Sequence, residues 1–128
     1  MAGEDLKDEC SKIERIECCE RDGFVSITYR LQLSSKGKGA IVFNTSLLEI
    51  FTIGVKNNSN EEVIGYLEIS PDRHNYWVDK PSLKNIPKEG FEIFVGKIFM
   101  KYTCIGIEGP SRGEVYIYFQ GQYAHTKR

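Results

Sequence analysis

From Gly23 onward, apolar and polar side chains alternate with a period of two. Val25, Ile27, Tyr29, Leu31 and Leu33 interleave with Ser26, Thr28, Arg30 and Gln32, the pattern of a strand with one face in a core and the other in water. The run closes on Ser34-Ser35-Lys36-Gly37-Lys38-Gly39, a polar, glycine-rich turn. Ala40 to Asn44 is a short apolar run. Leu47 to Val55 and Val63 to Ile69 flank Lys56-Asn57-Asn58-Ser59-Asn60, which predicts a β-hairpin. Ser70 to Glu89 holds Pro71, Pro81 and Pro87, with one concentrated apolar feature at Tyr76-Trp77-Val78; it reads as a long connection containing one short strand. Phe91, Ile93 and Val95 alternate with Glu92 and Phe94, and Ile98, Met100, Tyr102 and Cys104 continue past Gly96, where a bulge or bend is expected. After a turn over Glu108 to Gly113, the last strand, Glu114 to Tyr123, sets Val115, Ile117 and Phe119 against Tyr116, Tyr118, Gln120 and Gln122.

Short strands with regular turn signals and no convincing interior helix predict an all-β protein, an antiparallel β-sandwich or jelly roll of about eight strands. The first 22 residues differ from the rest, with eight acidic and four basic side chains. Leu6, Cys10 and Ile13 fall at i, i+4 and i+7, so a short N-terminal helix over about Asp5 to Glu14 and a disordered acidic leader are both compatible with the pattern; from Ile13 to Cys19 the pattern is ambiguous, because Ile13 and Ile16 do not alternate while Glu14, Ile16 and Cys18 fall on one side of a strand. The expected organisation is a leader over 1–22 and a single β-sandwich domain over 23–128. No internal repeat holds up along the chain.

At 128 residues, roughly two thirds of the unfolded surface can be buried, so no disulfide or metal is needed to hold a core. Lys and Arg total 17 against 18 Asp and Glu, a net charge of −1. That balance argues against nucleic acid or an anionic membrane as partner. No stretch approaches the roughly 20 apolar residues of a membrane span, and Met1 to Glu9 lacks the apolar region of a secretory signal, so an intracellular, cytoplasmic or nuclear, location is expected. Cys18 and Cys19 are adjacent while Cys10 and Cys104 stand alone; this is no disulfide framework, and reduced thiols are expected. Asn44-Thr45-Ser46 and Asn57-Asn58-Ser59 match the glycosylation pattern, without consequence in an intracellular chain.

The titratable groups suggest no catalysis. The two histidines, His74 and His125, have no nucleophile elbow or oxyanion-type motif near any Ser or Cys, and the expectation is that the chain is not an enzyme. Zinc spacing is missing because Cys18 and Cys19 have no gap between them, no calcium loop is present, and no cofactor is expected. Cys104 reads as a small core residue, with one of Cys18 and Cys19 inward and the other outward. Lys36-Gly37-Lys38-Gly39 lacks the spacing and following helix of a phosphate loop and reads as a solvated hairpin tip.

Two surface features remain as candidate binding sites. Tyr116 and Tyr118, followed by Gln120 and Gln122, alternate on the side opposite Val115, Ile117 and Phe119; such a face suits stacking on a ligand or burial in an interface, where Tyr is enriched. In the irregular segment, His74, Tyr76 and Trp77 could line a ligand site, or Trp77 could plug one end of the sandwich.

Gly90-Phe91-Glu92-Ile93, the glycine-containing turn beyond it, and Glu114-Val115-Tyr116-Ile117-Tyr118-Phe119-Gln120-Gly121-Gln122-Tyr123 resemble the end of the nucleoplasmin core. Ala40 to Leu48 and Val63 to Ile69 follow the order of that family's middle strands. The resemblance covers about half the chain in short pieces. It implies an eight-stranded jelly roll that assembles into a ring and acts as a histone chaperone. The chain departs from that family in having a basic early loop, Ser34 to Gly39, and a basic end, Thr126-Lys127-Arg128. Assembly through β-faces is therefore the part most directly carried over. The expected function is a non-catalytic protein-interaction or self-assembly module, with a protein partner or another copy of itself as the occupant. The alternative is a carbohydrate- or lipid-binding sandwich that uses the Tyr76-Trp77 loop. An acidic start and a basic final third could set the register of a head-to-tail or ring assembly.

Overall fold

In a computed structural model, residues 10–124 are described. They form nine antiparallel strands: β1 (Lys12–Arg21), β2 (Phe24–Gln32), β3 (Lys38–Asn44), β4 (Leu48–Asn57), β5 (Val63–Ser70), β6 (Trp77–Ile86), β7 (Phe91–Val95), β8 (Tyr102–Glu108) and β9 (Glu114–Tyr123). Two sheets pack face to face, ordered β1-β2-β9-β4-β7 and β3-β8-β5-β6. Between β2 and β9 every connection crosses from one sheet to the other except the β5–β6 hairpin. This is a jelly roll with an added edge strand, β1.

The period-two reading of β2 and β9 matches the packing. Leu31, Val115, Ile117 and Phe119 face Ile105, Ile107, Leu67, Val63 and Ile41 in one core with Ile53, Val55, Ile86 and Phe94. Phe43 and Phe119 stack at 4.2 Å between ring centroids. Among the described residues, no buried side-chain polar atom is left without a hydrogen-bond partner.

Several expectations change. Residues 1–9 lie outside the described part, but Lys12–Arg21 is a strand paired with β2 rather than helix or disordered leader, so the domain starts well before Gly23. The two-residue turn Asp22-Gly23, with φ of 54° and 80°, has both positions in the left-handed region, as a tight hairpin requires. Charged side chains suit the outermost strand of a sheet, and every residue of β1 is exposed.

The β4 and β5 runs lie in opposite sheets, so the Asn-rich segment is an arch and not a hairpin. Its organiser is Asn57, which is fully buried. Its side-chain amide donates to the carbonyls of Glu61 (2.8 Å), Ile86 (3.0 Å) and Pro87 (3.2 Å). Its side-chain oxygen accepts from the backbone N–H (2.9 Å) and hydroxyl (2.6 Å) of Ser59. One polar side chain thereby ties the arch to the β6–β7 loop.

The expected long connection contains the ten-residue strand β6. Proline is tolerated because β6 is an edge strand and the chain bulges around Pro81. Gly65 pairs with Lys84 and Leu67 with Asp79, and the Ser82 hydroxyl fills the gap, accepting from the Leu67 N–H at 2.8 Å and donating to the Asp79 carbonyl at 2.5 Å. The segment from Gly96 to Lys101 does not continue β7; β8 begins at Tyr102.

The turn at Ser34 to Gly39 is docked rather than a free tip. Gly109 N–H donates to the Gly37 carbonyl at 2.8 Å, and Arg112 N–H to the Ser34 carbonyl at 2.9 Å. Gly37, at φ 78°, has no room for a Cβ against the Gly109 carbonyl.

Candidate functional site

The register aligns side chains in rows across the outer face of the five-stranded sheet. One row runs Glu14, Arg30, Tyr116, Lys56 and Phe91; the next Glu17, Thr28, Tyr118, Gly54 and Ile93; the next Cys19, Ser26, Gln120, Thr52 and Val95. The face is charged on the β1 side, where Arg30 pairs with Glu14 and Glu114, and the hydrogen bond from Arg30 to Glu14 raises the guanidinium pKa further. Toward β7 it becomes apolar.

Phe91, Ile93 and Val95 are exposed to 49%, 41% and 47%, while Phe94 between them is 1% exposed in the core. Sequence alternation established that these side chains share a face but not which way it points, and the apolar triplet points to water. Its strand lies at the sheet edge, where the backbone carbonyl of Ile93 accepts from Lys84 Nζ at 2.6 Å.

Beside this edge lies a cleft of about 390 Å³ lined by Thr52, Gly54, Lys56, Phe91, Ile93, Tyr118 and Gln120. Glycine at position 54 lets the Phe91 ring lie over the strand; a Cβ there would meet Phe91 Cζ at 2.7 Å. The Phe91 and Tyr118 rings stand 6.1 Å apart at 52°. Lys56 Nζ donates to the Glu89 carbonyl at 2.7 Å, which holds the amine at one end. Gln120 Nε2 donates to the Ser26 hydroxyl at 3.2 Å. The lining therefore combines two aromatic faces with hydroxyl, amide and amine groups, and its chemistry suits binding.

The predicted site residues separate into two groups. Tyr116, Tyr118, Gln120 and Gln122 share the outer face, with the tyrosines half-buried and the glutamines exposed. Only Tyr118 and Gln120 line the cleft. His74, Tyr76 and Trp77 lie elsewhere, before and at the start of β6. His74 is exposed and Tyr76 half-buried. Trp77 is 54% exposed, so it does not plug the sandwich, and none of the three lines the Tyr118 cleft. Asp72 shapes that loop: the backbone N–H groups of Asn75 and His74, with the Asn75 amide, hold its carboxyl well below the usual range. His125 lies outside the described residues.

Sequence reading missed Thr52, Gly54, Lys56, Phe91 and Ile93. The available signal was the glycine inside the β4 run, which marks a close approach in a strand.

Cys104 is buried, but its register partners Val42 and Glu68 put it on the outer face of the four-stranded sheet, not in the core between sheets. Burial, then the neighbouring Glu68 charge, pushes its thiol pKa up to about 12. The adjacent Tyr66 hydroxyl, 3.4 Å from Glu108 Oε2, is raised to about 12 by burial first and then by Glu108 and Glu68. Cys18 and Cys19 are both exposed and point to opposite faces, Cys18 beside Ile27 and Cys19 beside Ser26. Among the described residues, no group of three or more His, Cys, Asp or Glu side chains is arranged to hold a metal.

No helix among the described residues is long and apolar enough to cross a membrane. Among solved structures, the chain is similar to the PBSX exported protein XepA at a TM-score of 0.55 and 8% identity, over 91% of this chain and 38% of that one. It is also similar to the Schizosaccharomyces pombe Cnp3 cupin domain at 0.47 and 9%, over 89% and 65%, and to PirA at 0.49 and 10%, over 83% and 97%. The chain thus spans 65% of the Cnp3 domain chain and well under half of XepA. The XepA likeness agrees with the β-sandwich architecture. No curated protein sequence matches the chain. A family model matches residues 44–123, from the end of β3 to the end of β9, and by that match the chain belongs to the family described as domain of unknown function DUF6385.

Proposed function

We propose that this chain is a non-catalytic self-assembly module that contacts a second copy through the outer face of its five-stranded sheet. The observation that carries the reading is the outward row Phe91, Ile93 and Val95 beside Tyr118. Three large apolar side chains on one short edge strand, next to half-buried tyrosines and rimmed by the charges of β1, have the make-up of an interface core and its polar margin. A two-fold contact would place the same patch on both copies. The ring implied by the resemblance to nucleoplasmin is one geometry of such an assembly, and its histone-binding role would need an acidic surface in addition.

The test is mass in solution by light scattering across concentration. A dimer or larger species that dissociates on dilution is expected, and a clean monomer at high concentration would remove the proposal. The cleft at Tyr118 favours a second reading, a small neutral ligand such as a saccharide stacked on Tyr118 and Phe91. Titration with a glycan panel should then shift the NMR signals of Gln120 and Thr52; no shift across the panel would leave that reading unsupported.

A further inference from the structure

Another apolar feature lies at one end of the sandwich, where Lys97 and Ile98 share a cleft with Ile93 and Val95 of β7. Asn44 and Ser70 both pair with Tyr102, Trp77 pairs with Ile69, and Thr45 N–H donates to the Lys101 carbonyl at 2.9 Å. These links bring the loops over residues 44–48, 70–77 and 96–101 to the same end. The 96–101 loop carries Ile98, Phe99 and Met100 in succession, and the other two loops, mostly polar, add Leu47 and Trp77. Leu47 and Phe99 are each 69% exposed, and Ile98 and Trp77 are also exposed. The backbone beneath is fixed, because the Thr45 hydroxyl donates to the Met100 carbonyl at 3.3 Å and shares a hydrogen bond with Thr103 at 3.1 Å. Gly96 sits against the Phe51 ring with no room for a Cβ.

Basic groups stand on the same loops as these apolar side chains. The 96–101 loop carries Lys97 and Lys101 and no acidic residue. Arg73, from the loop before β6, and Lys101 both approach the Tyr102 ring, each 5.5 Å from its centroid. Of the acidic groups at this end, Asp72 is turned onto the N–H groups of His74 and Asn75, Glu49 stands on β4 next to Ile50, Asp79 lines a cleft with Lys97 and Ile98, and Asp22 is on the turn whose Gly23 carbonyl accepts from Tyr123 N–H. The near-zero charge of the whole chain gave no reason to expect an anionic partner, but the loops gather basic groups around protruding apolar ones.

We infer that this end of the domain docks on an anionic lipid surface, with Leu47, Ile98 and Phe99 entering the interface and Lys97, Lys101 and Arg73 facing the headgroups. A flat protein partner would be met by a sheet face, whereas a lipid interface accepts separate apolar apices rimmed by lysine and arginine and favours Trp and Tyr at the boundary. The charge complementarity selects anionic over zwitterionic lipid.

The experiment is co-sedimentation with phosphatidylcholine vesicles with and without phosphatidylserine, with the emission of Trp77, the only tryptophan, followed in parallel. Partitioning about ten-fold or more stronger onto the anionic vesicles is expected for a few lysines near the surface, together with a blue shift of Trp77 and weakening in salt. The variant K97E/K101E should lose the anionic preference. L47S/F99S, with its fold checked by circular dichroism, should lose both binding and the blue shift. F91S, at a position outside the cleft that Lys97 and Ile98 line, should bind vesicles as the parent does, which separates this site from the assembly face. Absence of binding to anionic vesicles, equal binding by K97E/K101E, or a fall in solution mass caused by L47S/F99S would overturn the inference, the last by assigning the tip to a second copy.

Discussion

Asn57→Ala tests whether one buried amide holds the arch between the sheets. The substitution removes a side chain that serves three carbonyls and two Ser59 donors at a fully buried position. A net intramolecular hydrogen bond is worth about 1 kcal/mol, and each buried group left unpaired costs about 1–3 kcal/mol. The Glu61 carbonyl also accepts from the Ser59 hydroxyl at 2.8 Å, so it keeps a partner. The Ile86 and Pro87 carbonyls lose their Asn57 bond, although the Pro87 carbonyl retains the Gly90 N–H at 2.7 Å. A loss of about 3 kcal/mol follows, a large share of the roughly 5–15 kcal/mol that holds a domain together, with Tm lower by about 10 °C. Asn57→Asp keeps the shape but sets a carboxylate against those carbonyls. Its folded pKa should rise above the unfolded value of about 3.9, so its deficit should be smallest below pH 4 and grow as pH rises from there toward the folded pKa. Urea denaturation of both variants at pH 4 and pH 7 measures this. A loss below about 1 kcal/mol for Asn57→Ala, or an Asn57→Asp deficit that does not change with pH, would mean that the Asn57 amide does not hold the arch.

Other consequences concern thiols and the cleft. Because the Cys104 pKa is raised to about 12, the unfolded thiol ionises first as pH rises. The stability contribution is therefore complete below about pH 8.5, the unfolded thiol pKa, and is lost between there and about 12. The slope approaches about 1.4 kcal/mol per pH unit for this one group, and Cys104→Ala should flatten it in alkaline urea titrations. A thiol reagent should label Cys10, Cys18 and Cys19 quickly in the native protein and Cys104 only on unfolding; fast modification of Cys104 in the native state would contradict the burial. Gly54→Val should push the Phe91 ring off β4 at a cost of about 1–3 kcal/mol, reduced because the ring can swing toward water, and should raise the dissociation constant of self-association measured by sedimentation.

The alternation of β2 and β9 was legible because each has one core face and one polar or aromatic face. β1 was hidden because an edge strand that buries nothing carries charges on both faces, and the useful signal was the Asp22-Gly23 turn rather than the run itself. The arch at Asn57 reads like any polar turn until its burial is known; residue type alone does not separate a solvated asparagine from one serving three carbonyls. β6 was obscured by Pro81, which a bulge on an edge strand accommodates with help from Ser82. At β7 the period of two showed which side chains share a face, but Phe94 opposite Phe91, Ile93 and Val95 left the sign open. The resulting contrast underlies the proposed assembly face: one phenylalanine closes the core, and three apolar neighbours face away from it. On the candidate site, Tyr118 and Gln120 were found from sequence, while the cleft wall at Phe91 and the glycine beneath it required the β4–β7 register.

Sedimentation velocity on the parent chain, F91S/I93S and L47S/F99S over one concentration series tests the assembly claim most directly. Self-assembly through β7 predicts a self-associating parent, a monomeric F91S/I93S that keeps the parent's circular dichroism, and an L47S/F99S that associates as the parent does. A parent that stays monomeric throughout, or an F91S/I93S that associates unchanged, would contradict it.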